Sequence, residues 1–126
     1  MKTIIRIERP DGIGMFRNEV AVLNIIELID LAKRHGNGKF PIPYYDKNLN
    51  IISCYKDDKE WFCAYKSIEQ LQQWVKPNEF KYLFNYSYKV LLLDVTEYQE
   101  GEYQILYTKE SILNRKDISN LFKTNN

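Results

Sequence analysis

The chain has 126 residues, 44% hydrophobic and 14% aromatic with ten tyrosines, and its 18 Lys and Arg stand against 17 Asp and Glu for a net charge of +1. That length suits one α+β domain spanning residues 1–126, and the apolar content is enough for a core, which excludes wholesale disorder. The balanced charge excludes a broad phosphate-tracking surface, so nucleic acid is not an expected partner.

From the start, Lys2 to Arg9 reads as a strand with Ile5 and Ile7 on one face and Ile4, Arg6 and Glu8 on the other. Pro10-Asp11-Gly12 is a turn, because proline fixes φ and glycine accepts a positive one. Asn18 is placed to cap a long helix over residues 19–34, whose apolar positions Val20, Val22, Leu23, Ile25, Ile26, Leu28, Ile29, Leu31 and Ala32 cover more than half its circumference. Gly36 ends it. Residues 36–50 read as loop, held out of helix and central strand by Pro41 and Pro43.

Ile51–Tyr55 and Glu60–Lys66 flank the polar turn 56–59 and predict a hairpin. Ser67 stops the second strand and caps a helix in a Ser-x-x-Gln box with Gln70, each side chain bonding the other residue's free N–H. Leu71, Trp74 and Val75 follow on one helical face. Pro77 breaks the chain, and Asn78 caps a further short helix to about Tyr86. Tyr88–Tyr98 contains the unbroken apolar run Val90–Leu93, which suits a strand covered on both faces. Gln99-Glu100-Gly101 turns it into an alternating strand over 102–108, and a last short helix starts at Asp117. These elements predict a small mixed or antiparallel sheet with the long N-terminal helix and short helices packed on it.

Residues 1–9 lack the apolar segment of a signal peptide, and no apolar run reaches the roughly 18 residues of a membrane span. A cytoplasmic protein with no membrane association is therefore expected. Cys54, Cys63 and the single His35 are too few soft ligands for zinc, so no metal site is predicted and both thiols are expected to be reduced. Gly12-x-Gly14 with Arg17 nearby is a plain turn by default; backbone N–H groups before a helix, with an arginine beside them, also offer a place for an anion. Arg17, Lys33, Arg34 and Lys39 near Tyr44 and Tyr45 give the one local arrangement suited to stacking on bases. Glu102 and Gln104 share one strand face. With Arg6 on a neighbouring strand they would form a polar pocket, against the ordinary reading of an edge-strand ion pair worth little.

Arg6-Ile7-Glu8, Gly12-x-Gly14, Arg17, Pro41-x-Pro43-x-x-Asp46, the block Ala64 to Trp74, Tyr88-Lys-Val and Gly101-x-Tyr-Gln104 together resemble a group of small proteins of phages and prophages. Members of that group carry His-Pro where this chain has Phe40-Pro41. The resemblance implies an accessory protein that binds and inhibits a host or defence component, an anti-CRISPR-type activity, in the cytoplasm of the bacterial host. The order of elements is also similar to a minimal ADP-ribosyltransferase core. That likeness implies NAD as cofactor, or a nucleotide ligand. It also implies catalytic roles for Arg6, Ser67 and Glu102, and ligand contacts from Arg6, Arg17, Tyr44, Asp46, Tyr65, Ser67 and Gln104. Gln104 stands where the transferase pattern has its Glu, and glutamine cannot supply the carboxylate that such chemistry uses.

Overall fold

The computed structural model describes residues 1–12, 26–34, 59–102 and 104–123. Among these residues, six strands pair into two antiparallel sheets of three: β1 (Lys2–Glu8), β2 (Trp61–Ala64), β3 (Lys89–Val95), β4 (Tyr98–Glu100), β5 (Ile105–Thr108) and β6 (Ile112–Asp117). The first sheet has the order β1-β3-β6 and the second β2-β5-β4. Among the described residues, one bridge joins them. Ile5, already opposite Leu92 of β3, exchanges backbone hydrogen bonds with Tyr65 at 2.9 and 2.7 Å.

Period-2 alternation in the first sheet feeds two cores. Ile5, Ile7 and Val90 join Leu28, Leu31, Tyr65, Leu71, Trp74, Val75, Phe80 and Leu83, which come mostly from the helices. Ile4, Leu91, Leu93 and Val95 join Ala64, Ile105 and Tyr107 of the second sheet. β3 is the middle strand of its sheet and is covered on both faces, which is why its run from Val90 to Leu93 carries no polar alternation.

Two helices form at the stops that the sequence marks. Helix α2 (Ile68–Trp74) begins where Ser67, in extended backbone, accepts a hydrogen bond from the Gln70 N–H at 3.1 Å. Gln70 returns the favour one residue earlier than expected, its Oε1 accepting from the Lys66 N–H at 2.6 Å. Helix α3 (Pro77–Asn85) starts one residue before the predicted cap: Lys76 is the N-cap residue and Glu79 accepts from its N–H at 2.8 Å. Pro77 opens this helix, because the first helical position needs no intrahelical N–H donor.

The predicted layout is overturned in three places. There is no long N-terminal helix among the described residues: the part of 19–34 they include is a 3-10 turn, Ile26–Leu28, followed by the six-residue helix α1 (Ile29–Arg34). Of its described apolar positions through residue 31, Leu28 and Leu31 are buried while Ile26 is 83% exposed, so the apolar circumference there does not translate into burial on all sides. Residues 19–25, like the strand expected at 51–55, lie outside the described residues. Second, the sheet is not single: the described strands form two sheets, in which every strand pair is antiparallel, one of the two expected forms, and β2 pairs with β5. Two antiparallel sheets with short helices do not reproduce the layout of a minimal ADP-ribosyltransferase core. Third, the helix expected from Asp117 is the end of β6 followed by a 3-10 turn, Ser119–Phe122. β6 was hidden because its sequence, ILNRKD, is an exposed edge strand with almost no apolar alternation. Ser119 extends the pairing beyond it, its hydroxyl accepting from the Val90 N–H at 2.9 Å. No helix among the described residues is long and apolar enough to cross a membrane.

Candidate functional site

Alternation along β1 puts Arg6 and Glu8 on the face that meets the second sheet, and both are buried, at 7% and 6% exposure. Opposite them, Phe62 of β2 and Tyr107 of β5 are cross-strand partners with ring centroids 6.0 Å apart. The Arg6 guanidinium carbon lies 5.0 Å from the Phe62 centroid and 5.9 Å from that of Tyr107. Such placement over aromatic faces offsets part of the lost hydration. Arg6 Nη1 donates to the Cys63 carbonyl at 2.6 Å, and Nε donates to Glu8 Oε2 at 3.2 Å. The second oxygen of Glu8 accepts from Arg115 Nη2, which reaches across from β6. One buried carboxylate thus bridges two guanidiniums, one deep and one half-exposed.

These groups line a cleft of about 350 Å³. Lys109 adds a further cation, Phe62, Tyr107 and Ile112 supply apolar surface, and the turn Pro10-Asp11-Gly12 completes the described lining. Gly12 sits at φ +85°, in the region that L side chains rarely adopt, and its N–H donates to the Arg9 carbonyl at 2.8 Å. Asp11 is engaged by Arg9 at 3.2 Å. Burial pushes the Tyr107 phenol up to about 12, outweighing the downward pull of the Arg6 charge. Tyr107 therefore stays a neutral wall of the cleft through the physiological range.

Of the residues proposed from sequence, Arg6 lines this cleft. Tyr65 turns to the other core, where its ring meets Trp74 edge-on at 5.4 Å. The Ser67 hydroxyl is engaged at the α2 N-terminus. Gln104 is buried, and its carbonyl accepts from the Gly101 N–H at 2.8 Å to close the β4–β5 turn. Glu102 is exposed in the same turn, and its carbonyl accepts from Lys66 Nζ at 3.3 Å. Tyr65, Ser67, Glu102 and Gln104 are not among the described residues lining the Arg6 cleft. Arg17, Tyr44 and Asp46 lie outside the described residues, as do Gly14, His35, Lys39, Tyr45 and Cys54. The Cys63 side chain is half-buried. No group of three His, Cys, Asp or Glu side chains converges among the described residues.

Sequence reasoning did not single out Glu8, Phe62, Tyr107, Lys109 or Arg115 as site residues. Arg6 and Glu8, two apart on one strand, did carry a signal, since that spacing puts both on one face. The contribution of Arg115 had none, because it depends on a strand pairing between β3 and β6 that the residues of β6 do not announce.

No match was found among curated proteins or among solved structures. The family model described as Bacteriophage T4 Y00F protein matches residues 1–120, and with nearly the whole chain covered the protein belongs to that bacteriophage family.

Proposed function

We propose that this phage accessory protein works by binding a component of the bacterial host or of its defences, and that the cleft between the two sheets is the contact site. The observation that carries this reading is the composition of the cleft: Arg6, Arg115 and Lys109 face it together with Phe62 and Tyr107. Arginine and aromatic side chains in a concave surface are the residue types that dominate binding hot spots. Inhibition of the component is the consequence that a phage accessory protein of this kind would have, and an anti-CRISPR-type target is one host system to which it applies.

NAD-dependent mono-ADP-ribosyl transfer is the alternative drawn from resemblance alone. Its proposed residues do not gather: Tyr65 is in the opposite core and Ser67 caps a helix, so no step through NAD is derived. Incubation with labelled NAD and lysate tests that class directly, and label transfer to a host protein would replace the binding reading.

The binding reading is tested by affinity capture from lysate of a phage-sensitive host, with the wild-type chain and an Arg115→Gln/Lys109→Gln variant side by side. Both side chains are exposed enough to lose their charge without opening the core, and Arg115→Gln keeps a donor for Glu8. A stoichiometric partner held by the wild type and lost by the variant is the expected result. Equal capture by both moves the contact site elsewhere, and capture of nothing by either overturns the reading.

A further inference from the structure

The cleft carries more information than its residue types, because its donors are only partly used. Arg6 spends Nε on Glu8 and one Nη1 hydrogen on the Cys63 carbonyl. A guanidinium has five N–H donors, so among the described residues its Nη2 end remains for something else. Arg115 gives one nitrogen to Glu8, and the Lys109 ammonium has no ion pair among the described residues. Arg6 is also more than nine-tenths buried, so the cleft offers an arginine in a setting where its hydrogen bonds are little weakened by water.

Charge narrows the ligand. Asp11 is neutralised by Arg9. Among the described residues, the remaining charged groups lining the cleft are three cations, Arg6, Arg115 and Lys109, against the one carboxylate of Glu8, which leaves two positive charges. A phosphate monoester carries about −1.5 to −2 at neutral pH and presents three acceptor oxygens. A lone carboxylate carries half of that and fewer acceptors. Size narrows it further. The volume of about 350 Å³ lies at the small end of ligand pockets, which run from ~300 to 1,000 Å³, and part of the lining is apolar, from Phe62, Tyr107 and Ile112.

We infer that the cleft between the two sheets is a binding site for a phosphate monoester on a small organic body, its phosphate held by Arg6, Arg115 and Lys109. Glu8 is the positioning residue: it holds both guanidiniums in place and is itself no ligand contact, since an anion would be repelled by it. This inference rests on the proposal that the cleft is a contact site, and it adds the chemistry of what is contacted.

Isothermal titration calorimetry on the full chain tests it, with adenosine monophosphate, inorganic phosphate, adenosine and acetate as probes. The monophosphate is expected to bind at least about tenfold tighter than adenosine, the loss expected when charged hydrogen bonds are removed. Arg115→Gln and Lys109→Gln are each expected to weaken the monophosphate by a similar factor and to leave thermal stability without ligand close to wild type. Arg115→Gln keeps a donor for Glu8, and Lys109 has no ion pair among the described residues to lose. Inorganic phosphate binding as tightly as the monophosphate would support the phosphate subsite and remove the organic body from the inference. Acetate as tight as phosphate, adenosine as tight as its monophosphate, no heat from any probe, or wild-type affinity in both variants would each overturn it. The outcome is separable from host-component binding. A variant that loses the monophosphate but still captures its partner would keep this site and relocate the protein contact. A chain that ignores phosphate yet loses its partner through Arg115 would do the reverse.

Discussion

The two faces of the β1-β3-β6 sheet solve the same burial problem differently. On the helix side, Ile5, Ile7 and Val90 meet Leu71, Trp74, Phe80 and Leu83, and almost every contact is apolar. On the side facing the second sheet, Ile4, Leu91, Leu93 and Val95 begin a similar core, but β1 continues with Arg6 and Glu8 in place of further apolar residues. Hydrophobic burial alone would favour two aliphatic side chains there. Burying charge is costly, and a buried ion pair rarely repays its desolvation in full. The charged end of the second face is therefore a poor explanation of stability and a good candidate for function.

The sharpest way to break this contrast is Glu8→Ala. It strands the Arg6 guanidinium in the core with only the Cys63 carbonyl and two ring faces for company. An uncompensated buried charge of this kind costs about 3–5 kcal/mol, measured as the fall in unfolding free energy by urea titration. The double variant Arg6→Met/Glu8→Leu removes both charges. Met keeps a polarisable contact with Phe62 and Tyr107, so this variant is expected to return to within about 1 kcal/mol of wild type or above it. If the double variant is as unstable as Glu8→Ala, the pair is structural and the functional contrast fails. On the opposite face, Leu83→Ala creates a cavity under α3 and is expected to cost about 2–5 kcal/mol with no rescue by a second polar change.

Alkaline pH probes the second face through Tyr107. Its phenol ionises near 10 in the unfolded chain and is pushed up to about 12 by burial when folded. The folded state keeps the proton longer, so between those values the unfolded state binds fewer protons and stability falls as pH rises. Two pKa units correspond to about 2–3 kcal/mol, fully present below pH 10 and lost by about 12. Tyr107→Phe is expected to flatten that decline in denaturation midpoints measured across the range. Some slope will survive, because burial also raises the Tyr88 phenol in the helix-side core. A decline that is unchanged in Tyr107→Phe would place the titrating group on the helix side.

Much of the helix side was legible from residue order. Ser67 with Gln70 marks a cap wherever the chain goes next, and the spacing of Leu71 and Trp74 fixes which face α2 buries. The apolar run of β3 likewise announces a strand covered twice. Pairing was not legible. The turn at 56–59 argued for a local hairpin partner for β2 in a segment outside the described residues, whereas the pairing of β2 among the described residues is with β5, more than 40 residues on, through contacts that leave no local mark. The span 19–34 misled because a wide apolar circumference indicates burial only where something is there to cover it, and Ile26 is uncovered. The cleft combines both difficulties: Arg6 and Glu8 sit visibly on one strand face, but Phe62, Tyr107 and Arg115 reach them only through long-range pairing.

The smallest expected effect returns to the helix side. Ser67→Ala removes the acceptor for the Gln70 N–H, one of the unpaired donors at the start of α2. Loss of such a cap costs about 1 kcal/mol. Gln70→Ala removes the separate bond to the Lys66 N–H and, on its own, is expected to cost about 0.5–1.5 kcal/mol. Because the two bonds meet different N–H groups, the double variant is expected to show near-additive losses, in contrast to a closed box in which each side chain orders the other. Strong coupling in that cycle would mean that Ser67 and Gln70 act as one unit. The cap and the first turn of α2 would then stand or fall together. Neither change is expected to alter ligand affinity at the cleft: Ser67 and Gln70 serve the apolar face, and Arg6 and Glu8 lie on the other side of β1.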